Sequence, residues 1–170
     1  MQPDQALFLR DHLVNALRME QPVTRRVLDA IPVDKGDHRP DEIVKSALDL
    51  GWHIVGAEHR FMDAVVSGAF DFTNTGRPAA LTTAAQISQW YGDTFPKDAE
   101  RVGALTSEQL VKIIDFRGLF QLPAVSYLQF AMSHSIHHRG QLSMYLRPMG
   151  AKVPAIYGES YDSAKAKELG

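Results

Sequence analysis

Apolar residues recur every three or four positions along four long stretches of this chain, and this period constrains its fold more than any other feature. The stretches run from about residue 4 to 31, from 40 to 67, from 82 to 105 and from 122 to 147. A helix with one apolar face must bury that face against a neighbour, and four such helices form a bundle most simply. Strand-like patterning is confined to one brief piece, residues 111–116, where β-branched residues dominate. The chain is therefore predicted to be all-α, a four-helix bundle.

Prolines, glycines and capping residues set the expected ends of these helices. Asp4 is the predicted N-cap of the first helix, and Ile31-Pro32 ends it. Pro22 lacks a backbone N–H, which predicts a kink or a break near residues 19–21. The other predicted boundaries are Pro40 and Gly68 for the second helix, Thr82 or Thr83 for the start of the third, and Leu122-Pro123 and Pro148 for the fourth.

The C-terminal tail has two parts of different character. Residues 153–161 contain Ile156, Tyr157 and Tyr161, so we expect them to pack back on the bundle although they are irregular. Beyond Asp162 the residues are small and charged, and this segment is expected to fray.

The composition excludes several classes of protein. No cysteine is present, which rules out disulfides, thiolate metal ligands and cysteine nucleophiles. A net charge of -2 gives no basis for binding nucleic acid or an acidic membrane. No apolar run reaches the ~18 residues that span a bilayer, and the first residues lack the pattern of a signal peptide. We therefore expect a single cytoplasmic domain over residues 1–170, without nucleic-acid or membrane partners.

Three of the seven histidines lie within five residues, in the segment Met132–Tyr145 of the last predicted helix. His134 and His138 are four apart, which places their Cβ atoms roughly 5–6 Å from each other on one face of a helix. His53 lies in the middle of the apolar face of the second helix, where an imidazole needs a partner. Bundle cores are where facing helices build metal sites, so the three together predict a buried metal site. Without cysteine, such a site favours zinc, nickel, iron, manganese or copper.

Three imidazole ligands would leave one position of a tetrahedral ion open for water or substrate, which is typical of catalytic rather than structural metals. The Glu-x-x-His pairs of di-iron bundles are missing, and this argues against a carboxylate-bridged dinuclear centre. The sequence also lacks a glycine-rich phosphate loop, a Gly-x-Ser-x-Gly elbow and a His-Glu-x-x-His motif.

The remaining histidines are weaker candidates. His137 is expected either to flank the metal ligands or to cap a surface or interface. His12 is expected to be a hydrogen-bonded core histidine, whereas His38 and His59 are expected to be solvated. Glu58, beside His59, projects away from the apolar face of the second helix.

Polar and aromatic residues near the histidines have two interpretations each. Arg139 and Gln141 are spaced to brace the site or the substrate, although an arginine on a helix is usually exposed. Tyr127 and Tyr145 could donate to a species bound at the metal, although aromatic packing is their more frequent role. Arg60 lies close enough to the apolar face to stand behind the ligands.

Several segments resemble the DinB/YfiT-like family of metalloenzymes along nearly the whole chain. The strongest is His134-Ser-Ile-His-His138-Arg-Gly-Gln141, followed by Tyr145-Leu-Arg147 and Gly150, which is similar to the signature of that family's last helix. The other segments that resemble the family are Asp34 to Pro40, Leu50 to Glu58 and Val153 to Gly158.

This resemblance implies a four-helix bundle of variant up-and-down topology, commonly a homodimer. It also implies that His53, His134 and His138 hold a divalent ion, most often nickel or zinc, the same residues that spacing and expected burial select. Members with a known activity include thiol-dependent transferases and isomerases, in which the metal activates a low-molecular-weight thiol.

Three functions stay open on the sequence alone. The metal could activate a thiol in an S-transferase, activate water in a hydrolase, or belong to a non-enzymatic protein that binds metal or a small ligand. A cavity beside the ion would favour an enzyme, and a closed, fully ligated ion would favour a structural role.

Overall fold

A computed structural model describes residues 1–168 of the chain. Four long helices make up most of it: α1 (Pro3–Asp29), α2 (Ala47–Ser67), α3 (Ala84–Gly103) and α5 (Ser126–Leu146). Two short helices, α4 (Ser107–Val111) and α6 (Tyr161–Glu168), and one hairpin complete the fold. This confirms the all-α, four-helix-bundle prediction.

The order of the four long helices around the bundle does not follow the chain. α1 packs chiefly on α3 and α5, and α2 packs chiefly on the same two helices. The consecutive helices α1 and α2 therefore occupy opposite corners, as do α3 and α5, which is the variant topology that the resemblance implied. Because α2 and α5 are direct neighbours, their facing residues can form one site.

The core between the long helices is built from aliphatic and aromatic side chains that are almost completely buried. Each helix contributes several, among them Leu13, Leu17 and Leu28 of α1, Ile54, Val55 and Met62 of α2, Ile87 and Tyr91 of α3, and Leu128 and Leu142 of α5. Burying one such side chain contributes about 1.5–3 kcal/mol, so this core stabilises the helices that present the histidines.

Of the two predictions for Pro22, a kink or a break, the break is wrong, because helix α1 continues through this residue. A proline within a helix removes one hydrogen bond and costs about 3 kcal/mol. Beyond it, Val23, Val27 and Leu28 are buried again, and packing on both sides of the proline offsets that cost. Pro96 is likewise contained within α3.

The second helix begins at Ala47 and not at the predicted Pro40. Ser46 is its N-cap, and its hydroxyl accepts a hydrogen bond from the Asp49 N–H at 3.2 Å. The preceding residues form a 3₁₀ turn, Val33–Lys35, and a loop that folds back, with the Leu48 N–H donating to the Gly36 carbonyl. Gly68, at φ 82°, closes the helix as predicted, in a conformation that favours glycine.

A β-hairpin precedes the last helix. Strand β1 (Ile113–Phe116) lies within the predicted extended piece and pairs antiparallel with β2 (Phe120–Pro123). The turn uses positive φ at Arg117 (54°) and Gly118 (70°), a pair of values that suits a tight hairpin turn. Leu122-Pro123 therefore ends a strand instead of opening a helix, and α5 begins three residues later, at Ser126.

The tail packs back on the bundle, as predicted. The Tyr157 hydroxyl donates to the Glu20 carboxylate at 2.8 Å, and Val153 N–H donates to Asp162 at 2.8 Å. Residues 163–168, expected to fray, instead belong to the helix α6, and residues 169–170 lie outside the described part. Within residues 1–168, every helix is too short or too polar to cross a membrane.

Candidate metal centre

Three imidazole nitrogens from α2 and α5 meet at one point. His53 Nε2 lies 3.1 Å from His134 Nε2 and 3.3 Å from His138 Nε2. Nitrogens bound at ~2.0–2.1 Å to one tetrahedral ion are separated by about 3.3 Å, so the observed spacing fits a shared cation. Three such nitrogens could hold a metal ion.

Helix geometry and helix packing each supply part of this arrangement. His134 and His138 are one turn apart on α5, and their ring centroids lie 4.3 Å apart. His53 comes from the facing helix α2, with ring centroids 4.7 Å from His134 and 4.6 Å from His138. All three rings are half-buried, so the centre lies at the edge of the core, whereas the sequence predicted a buried site.

The surroundings keep these imidazoles neutral, which is the form that binds metal. Burial is the main cause, and the neighbouring rings add to it, lowering the pKa of His53 to about 4 and that of His134 to about 3. Burial also lowers the pKa of His138. A neutral imidazole has a lone pair to offer, and three converging lone pairs repel one another unless a cation lies between them.

Gln141 orients one ligand from behind. The His138 Nδ1–H donates to Gln141 Oε1 at 2.7 Å, which leaves the His138 Nε2 lone pair directed at the other two imidazoles. The same amide donates through Nε2 to His137 Nε2 at 3.1 Å. The predictions that Gln141 braces the site and that His137 flanks it agree with these contacts.

Three cavities adjoin the histidines. The first, about 380 Å³, is lined by His53 and His134 together with aromatic and cationic side chains. A second of about 350 Å³ also reaches His53. The third, about 690 Å³ and mostly apolar, reaches His138 and Gln141 from another side. The imidazole cluster therefore has space next to it on more than one side.

Behind the cluster, Glu58 is completely buried, so the prediction that it projects away from the core is wrong. Tyr91 donates to one carboxylate oxygen at 2.5 Å and Ser135 to the other at 2.6 Å. Burial raises the pKa of Glu58 to about 7. Because α2 packs on both α3 and α5, fourteen of its 21 residues are buried. The buried face of α2 is therefore wider than its single row of apolar residues indicates, and it includes Glu58.

Arg139 does not brace the histidines. It is buried, with 1% of its side chain exposed, and pairs with Glu20 of α1 at 2.5 Å. It also donates to Thr24 at 3.1 Å and to the Tyr157 hydroxyl of the tail. This arginine joins α5, α1 and the tail, and the common exposure of helical arginines made it hard to recognise.

The two tyrosines of α5 make packing contacts. Tyr127 donates to the Ile114 carbonyl at 2.9 Å and so fastens the hairpin to α5. Tyr145 packs edge-on against His38, with ring centroids 6.2 Å apart, and lines the apolar cavity. The packing role of both residues agrees with the structure. The Tyr127 hydroxyl is engaged by the hairpin, whereas a donor role for Tyr145, in a cavity that also reaches His138, stays a prediction.

The other histidines differ from expectation. His12 is exposed and stacks on Phe8, so it is not a core histidine. His38 is half-buried, with Nε2 buried and without a hydrogen-bond partner among residues 1–168. His59 is half-buried and bonded to Asp98 at 2.6 Å, a contact that raises its pKa. Solvation was therefore the wrong expectation for both His38 and His59.

Known proteins resemble this chain along most of its length. YjoA of Bacillus subtilis strain 168 is 28% identical over 142 residues, which cover 82% of this chain and 90% of YjoA. YrdA of the same strain is 29% identical over 156 residues, 87% of either chain. The crystal structure of YjoA, described as DinB-like, matches with a TM-score of 0.71 over 87% of this chain and 99% of YjoA.

A DinB-like protein from Bacillus cereus ATCC 10987, 24% identical, shares the fold with a TM-score of 0.73 over 86% of this chain and 97% of its own. The model of the DinB family matches residues 1–169. Since that match spans nearly the whole sequence, the protein belongs to the DinB family.

Proposed function

We propose that this protein is a metal-dependent enzyme that transfers the sulfur of a low-molecular-weight thiol to a small organic electrophile. His53, His134 and His138 are the proposed ligands of a divalent ion, nickel or zinc before iron or manganese. The observation that carries this proposal is the convergence of three neutral imidazoles from only two helices, two of which, His53 and His134, line a cavity of about 380 Å³.

Three imidazoles would hold a tetrahedral ion and leave one position for a further ligand. The three residues belong to α2 and α5, and two of them, His53 and His134, line the cavity that a substrate could enter. A divalent ion held there would lower the pKa of a thiol or water in its open position. A cavity next to an incompletely ligated ion favours an enzyme over a purely structural metal site.

The lining of that cavity favours a thiol over water as the nucleophile. Among residues 1–168 it includes no aspartate or glutamate that could act as a general base. Asp49, in the adjoining cavity, is already paired with Arg77 at 2.9 Å. A thiol, with an ordinary pKa of about 8.5, needs a much smaller shift than water to ionise at neutral pH, and it can do so without a base.

Space on two sides of the histidines favours a reaction with two organic substrates. The apolar cavity of about 690 Å³ reaches His138, whereas the cavity of about 380 Å³ reaches His53 and His134. A transferase must hold a thiol and an electrophile together, while a hydrolase needs room for one organic molecule. In this proposal the three imidazoles hold the ion, Gln141 keeps His138 oriented, and the aromatic walls exclude water from the reacting atoms.

The test uses cobalt(II) as a spectroscopic substitute for the native ion. Protein loaded with cobalt is titrated with cysteine, glutathione and coenzyme A, and a thiolate-to-cobalt charge-transfer band in the near ultraviolet is the expected result. Nickel- and zinc-loaded protein is then assayed for thiol consumption with 1-chloro-2,4-dinitrobenzene and for hydrolysis of p-nitrophenyl acetate.

His138→Ala should abolish both the band and the thiol reaction. The matched control His12→Ala should keep both, because His12 is an exposed histidine of α1 that lines none of the three cavities. A loaded protein that shows no band with any thiol but hydrolyses the ester would reverse the choice of nucleophile. Failure to load any metal would overturn the whole proposal.

A further inference from the structure

Arg60 of α2 is a half-buried cation in the wall of the cavity of about 380 Å³ that opens onto His53 and His134. Within residues 1–168 it makes no hydrogen bond and no ion pair, unlike other shielded arginines. Arg77 is paired with Asp49 and Arg139 with Glu20. Burial lowers the pKa of Arg60, so its charge is held there at a cost.

A second guanidinium shares the cavity with Arg60. Arg117, in the hairpin turn, lies with its Cζ 3.9 Å from the centroid of the Phe72 ring. Its charge also lowers the pKa of Arg60, so the two repel each other, and no carboxylate in the described chain pairs with Arg117. Lys45, exposed at the rim, is a third cation without an ion pair there. The carboxylate of Asp71 acts on Arg60 from outside the cavity lining and raises its pKa, but the two do not form an ion pair. The described lining of the cavity itself holds three cations and no carboxylate.

The rest of the wall is aromatic. Phe70 packs edge-on against Phe116 with centroids 4.9 Å apart and stacks on Phe72 at 5.4 Å. Phe61 lies 5.6 Å from Phe70 and 5.9 Å from the His134 ring, so the aromatic surface continues up to the imidazole cluster. Such a surface accepts a flat apolar group along its length.

We propose that this cavity binds the electrophilic substrate as an oxyanion on a flat apolar body, with the oxyanion on Arg60 and Arg117. A carboxylate and a phosphate share the required chemistry, because a guanidinium binds either through paired hydrogen bonds. The body would lie against the phenylalanine rings, with its reacting atom toward His53 and His134. This inference deepens the proposed function, because it names the substrate class of the same site.

Binding of the anion would offset the electrostatic repulsion between the guanidinium groups of Arg60 and Arg117. An oxyanion between them replaces a repulsion with two charge-assisted contacts in a partly desolvated space. The cavity would reject a neutral analogue of the same shape, because that analogue leaves both cations unpaired. Affinity should therefore depend on the charge of the ligand more than on its apolar body.

The test measures binding directly, with protein stripped of metal and then freed of chelator, so that the ion cannot hold the anion itself. Trans-cinnamate, cinnamamide and phenyl phosphate are titrated while the tryptophan fluorescence, to which Trp52 in the cavity wall contributes, is followed and corrected for absorption by the ligand. Calorimetry with the same three compounds supplies a second readout. Cinnamate should bind at least about 10-fold more tightly than cinnamamide.

Arg60→Met keeps much of the aliphatic stem, and we expect it to weaken cinnamate binding by about 10-fold to 100-fold with little change for cinnamamide. Arg18→Met is the matched control, because Arg18 is exposed on α1 and lines none of the three cavities. Arg117→Asn, in a turn that asparagine tolerates, tests the second cation even if Arg60→Met were to fold poorly.

Equal affinity for cinnamate and cinnamamide, or unchanged cinnamate binding in both arginine variants, would overturn the proposal. Tighter binding of phenyl phosphate than of cinnamate would support it with a phosphate as the oxyanion, and the reverse order would support it with a carboxylate. Binding without metal is independent of turnover. Charge-selective binding by a protein that stays inactive when loaded with metal would therefore contradict the proposed function but support the proposed anion site.

Discussion

At the scale of single residues, neighbouring side chains put each proposed ligand in the orientation or the protonation state that metal binding requires. His138 is oriented by Gln141, whereas burial among apolar side chains and the adjacent imidazoles keep His53 and His134 neutral. Neutrality removes competition from protons, and orientation removes rotational freedom. The two effects can be tested separately.

Metal affinity should be almost independent of pH between 8 and 6. Three histidines with an ordinary pKa of 6.5 would lose roughly 65-fold in affinity over that range through proton competition. Here the pKa of His53 is about 4 and that of His134 about 3, so protons compete for these two ligands only below that range, and burial lowers the pKa of His138 as well. Nickel titrations at several pH values would measure this, and a loss above about 10-fold would contradict it.

Gln141→Leu should weaken metal binding by about 10-fold to 100-fold, because loss of a hydrogen bond to the non-ligating nitrogen of a histidine ligand has that effect. Metal content after desalting would measure the loss.

His138→Ala should abolish stoichiometric metal binding while the protein stays helical, since its core does not involve the ion. Metal content after desalting and circular dichroism are the measurements. Ser143→Ala, on the same helix, is the control, and full occupancy in His138→Ala would remove His138 from the ligand set.

At the scale of helices, Glu58 joins three elements. Its carboxylate lies on α2, accepts from Tyr91 of α3 and accepts from Ser135 of α5, the residue after His134. This contact holds α2 and α5 in the register that places His53 against the α5 histidines. A rigid scaffold of this kind positions a site more accurately than a loop would.

Glu58→Gln should change how stability depends on pH. The pKa of Glu58 rises from an ordinary 4.5 to about 7 in the folded protein, so its contribution to stability is complete below pH 4.5 and is lost as the pH rises toward 7. The lost contribution is on the order of 3 kcal/mol. The free energy of unfolding of the wild type minus that of the variant should therefore fall across this range.

Urea denaturation of metal-free protein between pH 4.5 and 7.5 would test this. His53 and His134 shift in the opposite sense, because their lowered pKa makes stability rise with pH up to about 6.5. Those histidines are present in both proteins and cancel in the difference. A difference that stays flat with pH would mean that the buried carboxylate keeps its ordinary pKa.

At the scale of the whole molecule, the ion is expected to stabilise the fold by binding the native state alone. At a free concentration 100 times its dissociation constant, it should add about 2.7 kcal/mol, or roughly 5–10 °C in melting temperature for a chain of this size. Thermal melts with zinc, nickel, iron and manganese would show this rise and rank the ions. The rise should disappear in His138→Ala, and a similar rise in that variant would indicate a different site.

The protein is also expected to form a homodimer through helix faces. Phe8 and Met19 of α1 and Met144 of α5 are each 75% exposed, and a dimer that forms through these helix faces would bury them. Light scattering at micromolar concentration should give twice the chain mass of 18.9 kDa. A monomeric mass under those conditions would contradict this prediction.

Much of the fold and of the imidazole cluster could be predicted because the underlying signals are local. Helical period identified α1, α2, α3 and α5, and the spacing of His134 and His138 placed them on one face before any packing was known. The hairpin partner β2 was missed, although Gly118 after a β-branched run is a turn signal that could have revealed it. Leu122-Pro123 instead resembled a helix start, since proline is favoured in a first turn.

The four helices and the placement of His134 and His138 on one face follow from local sequence, because backbone hydrogen bonding and side-chain period act within a few residues. The position of α2 beside α5, the contact of His53 with the α5 pair, and the burial of Glu58 and Arg139 all depend on how the helices pack. Burial of a residue depends on how many neighbouring helices pack against its own helix. One row of apolar residues does not show how much of the helix surface those neighbours cover. For the same reason, the sequence does not show that Arg60 and Arg117 line one cavity, because this depends on how α2 and the hairpin pack together.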